Sequence, residues 1–236
     1  MLAPEARWFG RQLARYGGDE LQPLLNLGSQ SLAFRTRVQP WLDRHVFAPL
    51  RARQIRVIHS DLQTAEGVEL VGDLTDAAFR ARLKTLRFRA VICSNLLEHI
   101  VNPAVIASTV VDVLEPGGLL FVSVPCRFPY HADPIDTMFR PTPAELAALF
   151  PGTSTVEQGV IGGGNLMTYT LGRLFGSPRR LISDLFGRRQ KNGNERSGFD
   201  TQDLALSTHH PGPWSMLPWL IRRFEVSCLV LRKAQS

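Results

Sequence analysis

The sequence has few cysteines: Cys93, Cys126 and Cys228 are the three in 236 residues. Their number is odd and no two have Cys-x-x-Cys spacing, which argues against a disulfide framework and against a zinc site. We therefore predict no metal-binding residues. Long apolar runs are also lacking, since none reaches the ~18 residues of a membrane-spanning helix. The N-terminal segment carries charges too early for a signal peptide, so we expect a cytoplasmic protein.

The charge is moderately positive. Lys and Arg number 27 against 21 Asp and Glu, which gives a formal net charge of +6. Such a surplus can attract phosphates, nucleic acids or anionic membranes. Most arginines are scattered and no nucleic-acid-binding module is present, so no nucleic-acid partner is expected. Residues 171–189 combine apolar side chains with five arginines. They predict either peripheral membrane contact or, more simply, helices that cover the sheet edge with their arginines in water.

Short apolar runs alternate with helical patterns, which predicts a parallel sheet flanked by helices. We predict strands at residues 23–27, 55–59, 68–71, 88–94, 119–124, 154–161 and 225–231. Helices are predicted at residues 4–16, 40–51, 76–86, 103–114 and 142–150. The pattern indicates one domain, with a core at about 23–161 plus the final strand at 224–232. A helical and loop insertion is expected at about 162–223, with helices at 165–175 and 179–188 and a loop at 190–213.

Polar or small residues follow each of the early strands. Ligands of open parallel sheets bind at the carboxyl ends of the strands. Gly28 follows the first strand and permits a tight turn, and Asp61 follows the second, where an acid can accept hydrogen bonds from a ribose. Asp73 follows the third and could accept from an adenine amino group. Each residue alone could be an ordinary turn or cap, but their shared register favours a nucleotide-like cofactor.

The segment after the third strand carries the most specific pattern. It reads AVICSNLLEHIVNP from Ala90, and LEPGGLLFVSVP follows after a helix. This segment resembles class I S-adenosylmethionine-dependent methyltransferases of the bacterial group that modifies sugars and small molecules. Leu97-Glu98-His99 and the LEPGG of residues 114–118 are familiar landmarks of that family. The resemblance covers about residues 24–150, including the HADPIDTMFRPTPAEL stretch from His131, and extends to the final strand.

The resemblance implies a Rossmann-like α/β fold, with a seven-stranded, mostly parallel sheet, helices on both faces and an antiparallel last strand. It also implies S-adenosyl-L-methionine as the cofactor. The implied cofactor-binding residues are Asn26, Gly28, Ser29, Asp61, Asp73, Leu74, Asn95 and Leu96. The sequence departs from the family at three places: Asn26 stands where an acid is usual, and Gln30 and Leu32 replace glycines. Residues 35–39 are expected to be an inserted loop.

Methyl transfer to oxygen benefits from a general base. The candidate catalytic residues are His131, Asp136 and His99, although His99 could instead pack beside the cofactor, and His131 and Asp136 could belong to a polar loop. Arg127, Tyr130 and Arg140 are the candidate acceptor-binding residues. Either arginine could equally pair with an aspartate of the same segment.

The predicted function is methyl transfer from S-adenosylmethionine to a small-molecule or glycan-type acceptor, at oxygen. The main alternative is a non-catalytic protein that keeps the fold, because the changed glycine loop could have lost the cofactor. A nicotinamide-dependent enzyme is disfavoured, because no G-x-G-x-x-G pattern follows the first strand.

Overall fold

The computed structural model describes residues 1–131, 135–165, 167–168 and 218–235. It contains one seven-stranded sheet in the order β3-β2-β1-β4-β5-β7-β6. The strands are β1 Leu24–Leu27, β2 Val57–Asp61, β3 Leu70–Val71, β4 Phe88–Ser94, β5 Leu114–Arg127, β6 Thr153–Gly162 and β7 Glu225–Lys233. Strands β1 to β5 are parallel, whereas β7 is antiparallel to both β5 and β6. The predicted Rossmann-like sheet with an antiparallel last strand is confirmed.

The central strands are buried along nearly their whole length. In β4 the run from Ala90 to Cys93 is almost fully shielded, and in β5 the same holds from Leu119 to Val122. Parallel strands covered on both faces have such continuous apolar runs, and this is why both could be predicted as strands, although β5 runs from Leu114 to Arg127 rather than over 119–124. β4 occupies the predicted residues 88–94 without any shift.

The described helices pack around this sheet. They are α1 Ala3–Leu13, α2 Gly18–Leu21, α3 Pro40–Leu42, α4 Ala48–Ala52, α5 Ala77–Thr85, α6 Pro103–Val113 and α7 Pro143–Ala148. Two of them begin with a side-chain cap: Asp76 accepts from the backbone N–H of Phe79 at 2.7 Å, and Thr142 accepts from that of Glu145 at 3.3 Å. A π-turn at Asp43–Phe47 joins α3 to α4, so the helix predicted at 40–51 is present with a change of winding.

The inserted loop expected at residues 35–39 is wrong, because Phe34–Val38 form a helical π-turn. The Arg35 side chain is buried, and its guanidinium donates to the carbonyl oxygens of Ser29, Gln30 and Gly67. These tertiary hydrogen bonds hold the turn in a helical form. Strand β2 also starts at residue 57 rather than 55, because the N–H of Ile55 still donates to Leu50 O at the end of α4.

The chain divides into two compact units, Met1–Gly163 with Glu225–Ser236, and Gly164–Phe224. Most of the predicted 165–175 helix, all of the 179–188 helix, the 190–213 loop and the basic segment 171–189 lie outside the described residues. Among the described helices, none is long and apolar enough to cross a membrane.

Helix α1 packs closely against the π-turn at Asp43–Phe47, and Gly10 makes this possible. A Cβ atom at Gly10 would lie 2.2 Å from the carbonyl oxygen of His45. We predict that Gly10→Ala lowers the free energy of unfolding by ~1–3 kcal/mol or more, because overpacking a close contact typically costs this much. Urea denaturation measures this change.

The matched control is Gly18→Ala in α2, where an added Cβ would meet only the Gln22 side chain at 3.7 Å. It should unfold at nearly the same urea concentration as the unmodified protein. Equal effects of the two substitutions would contradict close packing at Gly10.

Candidate active site

The carboxyl ends of β1, β2 and β4 lie side by side. Strand β1 pairs with β2 on one side and with β4 on the other, so that Leu27 is level with Ser60 and Cys93. The strand order reverses here, and such a switch point is where open α/β sheets bind ligands. The residues that follow these strands therefore face one common region.

The loop after β1 keeps the backbone shape that glycines usually provide. Gly28 has φ of +61°, and Gln30 adopts a similar left-handed φ of +55° although it has a side chain. A Cβ atom at Gly28 would lie 3.1 Å from the Cδ1 atom of Leu96. Ser29 is buried, and its N–H donates to Ser60 O at 3.0 Å. The substituted loop thus remains a tight turn against β2.

Asp61 is the last residue of β2, and its carboxylate closes this loop. Its two oxygens accept from the N–H groups of Gln30 at 2.8 Å and Gln63 at 3.2 Å. A carboxylate has about four lone-pair positions, so further acceptor capacity remains. Asp73 is exposed after β3 and accepts from the N–H of Thr75 at 2.7 Å, while the half-buried Leu74 packs against the core.

Asn26 pairs with a neutral histidine. Its Nδ2 atom lies 3.0 Å from Nδ1 of His59 on the neighbouring strand. Burial, reinforced by Arg35 and Arg51, lowers the pKa of His59 to about 3. The imidazole is therefore uncharged at neutral pH, and its Nδ1 accepts from the Asn26 amide. Asn26 is buried in this pair, which accounts for an amide where the family usually has an acid.

Glu5 is a site residue that the sequence analysis missed. Its buried carboxylate accepts from Ser123 Oγ at 2.6 Å, from Asn95 Nδ2 at 3.0 Å and from the N–H of Leu2 at 2.8 Å. It thus places a negative group at the ends of β4 and β5. Glu5 lies three and four positions before Trp8 and Phe9 on the buried face of α1. An acid on an apolar helix face was the signal that could have revealed it.

The segment after β5 is fastened to the turn after β4. The N–H and hydroxyl of Thr137 both donate to the backbone oxygen of Glu98, at 2.9 and 3.0 Å. His99, at the end of the 3₁₀ turn Leu97–His99, directs Nδ1 at the carbonyl oxygen of Ile135. These contacts bring the rings of His99 and His131 to a centroid distance of 5.2 Å. The structure therefore brings together two of the predicted catalytic residues.

The carboxylate of Asp136 contacts both the backbone and the ring of His131. This buried carboxylate pairs with Arg140 at 2.6 Å and accepts from the N–H groups of His131 at 3.0 Å and Met138 at 2.8 Å. Burial alone would raise the pKa of Asp136, but these donors hold it below its usual value. The same oxygen lies 3.1 Å from Nδ1 of His131. Burial lowers the pKa of His131 in spite of Asp136, so its ring is neutral at neutral pH.

The three candidate acceptor-binding residues differ in their surroundings. Arg140 forms an ion pair with Asp136, which is one of the pairings that the sequence left open. Arg127 pairs instead with Glu225 at 3.2 Å, and its side chain is 58% exposed. Tyr130 is half-buried on the same segment as His131. The segment therefore carries His131 beside His99, while Arg127 lies at the surface.

Comparison with known proteins identifies the family. The family model described as a methyltransferase domain matches residues 34–154. A candidate sarcosine dimethylglycine methyltransferase from Galdieria sulphuraria has a similar structure, with a TM-score of 0.54 and 12% identity over 98% of this chain and 85% of its own. A coclaurine N-methyltransferase, solved with N-methylheliamine and SAH, has a TM-score of 0.50 and 17% identity over 95% and 70% of the two chains. A search of curated proteins found no match.

The chain belongs to the methyltransferase-domain family and is a class I S-adenosylmethionine-dependent methyltransferase. The described residues fit its cofactor, S-adenosylmethionine. The left-handed turn at Gly28 (φ of +61°) leaves the backbone of the loop after β1 without a side chain, as expected where a ligand meets the backbone. Asp61 accepts two backbone N–H groups and has acceptor capacity left for the hydroxyls of a ribose.

Glu5 should be important for stability because it satisfies several donors at once. We predict that Glu5→Ala lowers the free energy of unfolding, by ~1–3 kcal/mol for each buried donor left without an acceptor. Asn95 and Ser123 are the donors affected in the sheet. Thermal and urea unfolding measure the loss.

Glu66→Ala is the matched control, because Glu66 is an exposed acid with no side-chain hydrogen bond among the described residues. It should leave stability within ~0.5 kcal/mol of the starting protein. If Glu5→Ala is equally mild, the carboxylate does not hold α1 on the sheet.

Proposed function

We propose that this methyltransferase transfers the methyl group of S-adenosylmethionine to a hydroxyl oxygen of a small-molecule or glycan-type acceptor. The observation that carries the proposal is the pair of His99 and His131, whose rings lie 5.2 Å apart beside the cofactor region. His131 is neutral and supported by Asp136. A hydroxyl gains more from such groups than an amine does, because it must lose a proton to become a strong nucleophile.

The cofactor would be held at the ends of four strands. Gly28 and Ser29 offer backbone groups, and Asp61 would accept from the ribose hydroxyls. Asp73 and Leu74 would border the adenine. Asn26 belongs to the floor of the site through its pair with His59.

On the other side, Asn95 and Leu96 would lie against the amino-acid part of the cofactor. The Asn95 amide is held by Glu5. The bound cofactor supplies an electrophilic methyl group on a sulfonium. The protein must then position the acceptor and exclude water from the site. Holding the reactants in a productive orientation lowers the activation barrier by ~7–11 kcal/mol.

The acceptor would lie against the segment after β5. The imidazoles of His99 and His131 are the groups that can activate its hydroxyl, and Tyr130 would contact its body. Asp136 is fully engaged with Arg140 and two N–H groups, so we assign it to positioning His131. In the transfer, the hydroxyl gives up its proton, the oxygen forms a bond to the methyl carbon, and the carbon–sulfur electrons remain on sulfur as a neutral thioether.

The cofactor site is tested by calorimetric titration with S-adenosylhomocysteine, and in parallel with NAD. We predict saturable binding of S-adenosylhomocysteine alone. Asp61→Asn should weaken it at least about tenfold, because hydrogen bonds to a charged group contribute ~1.5–3 kcal/mol. Asp112→Asn, at an exposed pair with Lys84, should bind as the unmodified protein does. Unchanged affinity in Asp61→Asn would move the ribose site elsewhere.

The acceptor atom is tested with S-adenosylmethionine carrying a labelled methyl group. The protein is incubated with a pool of glycosides and nucleotide sugars, and separately with the matching amino sugars. We predict label on hydroxyl oxygens, lowered ~10²–10⁴-fold in His131→Ala. His45→Gln, a histidine of the π-turn at Asp43–Phe47, should leave turnover unchanged. Label on amines alone, or full turnover in His131→Ala, would overturn the proposal.

A further inference from the structure

Glu98, His99 and His131 form a cluster of metal-binding side chains. One potential ligand atom from each lies within 4.8 Å of the other two. Glu98 and His99 come from the turn after β4, whereas His131 comes from the segment after β5. The contacts of Thr137 to the Glu98 carbonyl and of His99 to Ile135 hold the two elements together.

The Glu98 carboxyl is the unusual member of this cluster. It is fully buried, and within the described part of the chain neither of its oxygens has a hydrogen-bond partner. Buried polar groups in native proteins are nearly always satisfied, and a buried carboxylate is costly unless it is paired or binds a metal. The described residues therefore leave the Glu98 carboxyl without a hydrogen-bond donor.

Both histidines are oriented as metal ligands usually are. His99 directs Nδ1 at the carbonyl oxygen of Ile135, and His131 Nδ1 lies 3.4 Å from the carbonyl oxygen of Pro129. Each acceptor places the proton on Nδ1 and leaves the lone pair on Nε2. A histidine that binds metal typically donates its other N–H to a carbonyl or carboxylate in this manner. His99 Nε2 also lies 3.9 Å from Glu98 Oε1.

We propose that Glu98, His99 and His131 bind a zinc ion at the acceptor side of the active site. Two imidazoles and one carboxylate are a known donor set of catalytic zinc sites, which keep a further position open. Imidazole nitrogen favours zinc over magnesium, which prefers oxygen ligands. In a tetrahedral site with zinc bonds of about 2.0–2.2 Å, the ligand atoms lie about 3.3–3.6 Å from one another. The three ligand atoms lie within 4.8 Å of one another without an ion, so the side chains need to close only slightly around it. The cysteines, on which the sequence prediction of no metal rested, take no part.

The role of this ion rests on the proposed oxygen methylation. An acceptor hydroxyl in the open position would become more acidic, as water does on zinc. It would release its proton to solvent and attack as a zinc-bound alkoxide, forming the oxygen–methyl bond as the carbon–sulfur bond breaks. His99 and His131 would then act on the acceptor through the ion.

The experiment titrates the chelator-treated, full-length protein with ZnCl₂, and separately with MgCl₂, in a calorimeter without cofactor. We expect one zinc per chain and much weaker magnesium binding. Glu98→Gln, His99→Ala and His131→Ala should each weaken zinc at least about tenfold, because even outer-shell changes cost about 10–100-fold. The controls His45→Gln and Cys126→Ser should bind normally.

Two further measurements identify the type of ligand and show that each variant is folded. Cobalt(II) should give visible d–d bands without thiolate charge transfer, since Cys126 and the other thiols are excluded from the site. S-adenosylhomocysteine should still bind each variant, which shows that the variant is folded and separates this test from that of the cofactor. Absence of saturable zinc binding, zinc affinity unchanged in all three variants, or preference for magnesium would each overturn the proposal.

Discussion

The candidate active site depends on the buried carboxylate of Glu5. Burying a carboxylate is costly unless hydrogen bonds replace its water, and Ser123, Asn95 and the N–H of Leu2 provide them. These bonds fix α1 over the ends of β4 and β5. Asn95 in turn begins the turn that carries Glu98 and His99. The first helix of the chain is therefore part of the site.

A second set of contacts assembles the acceptor side. The described residues of the segment after β5, 128–131 and 135–142, form no helix or strand, so the position of these residues depends on hydrogen bonds and ion pairs. Thr137 fixes it to the Glu98 carbonyl, and Arg140 fixes Asp136 beneath His131. The first contact involves the turn after β4, and the second involves the carboxylate that contacts His131. A change at either contact would therefore displace the pair of His99 and His131.

The sequence predicts the fold well where burial is continuous, and less well elsewhere. β4 was placed without a shift because its apolar run is shielded on both faces, whereas the shorter β2 begins two residues later than predicted. Arg35 shows why the 35–39 loop was mistaken: one of its carbonyl partners, Gly67, lies 32 residues away along the chain, which no local pattern reveals. The same reason applies to Glu5 and to the approach of Glu98 to His131, since both depend on contacts across the fold.

Glu5 and Glu98 are two buried carboxyls at the same edge of the sheet, and their surroundings differ. Glu5 has three donors, whereas Glu98 has none among the described residues. Arg140, the nearby guanidinium, is already paired with Asp136 at 2.6 Å. No hydrogen bond from a described residue reaches Glu98, so a cation from solution can take that place. A proton would neutralise Glu98 alone, whereas the proposed zinc ion would engage His99 and His131 as well.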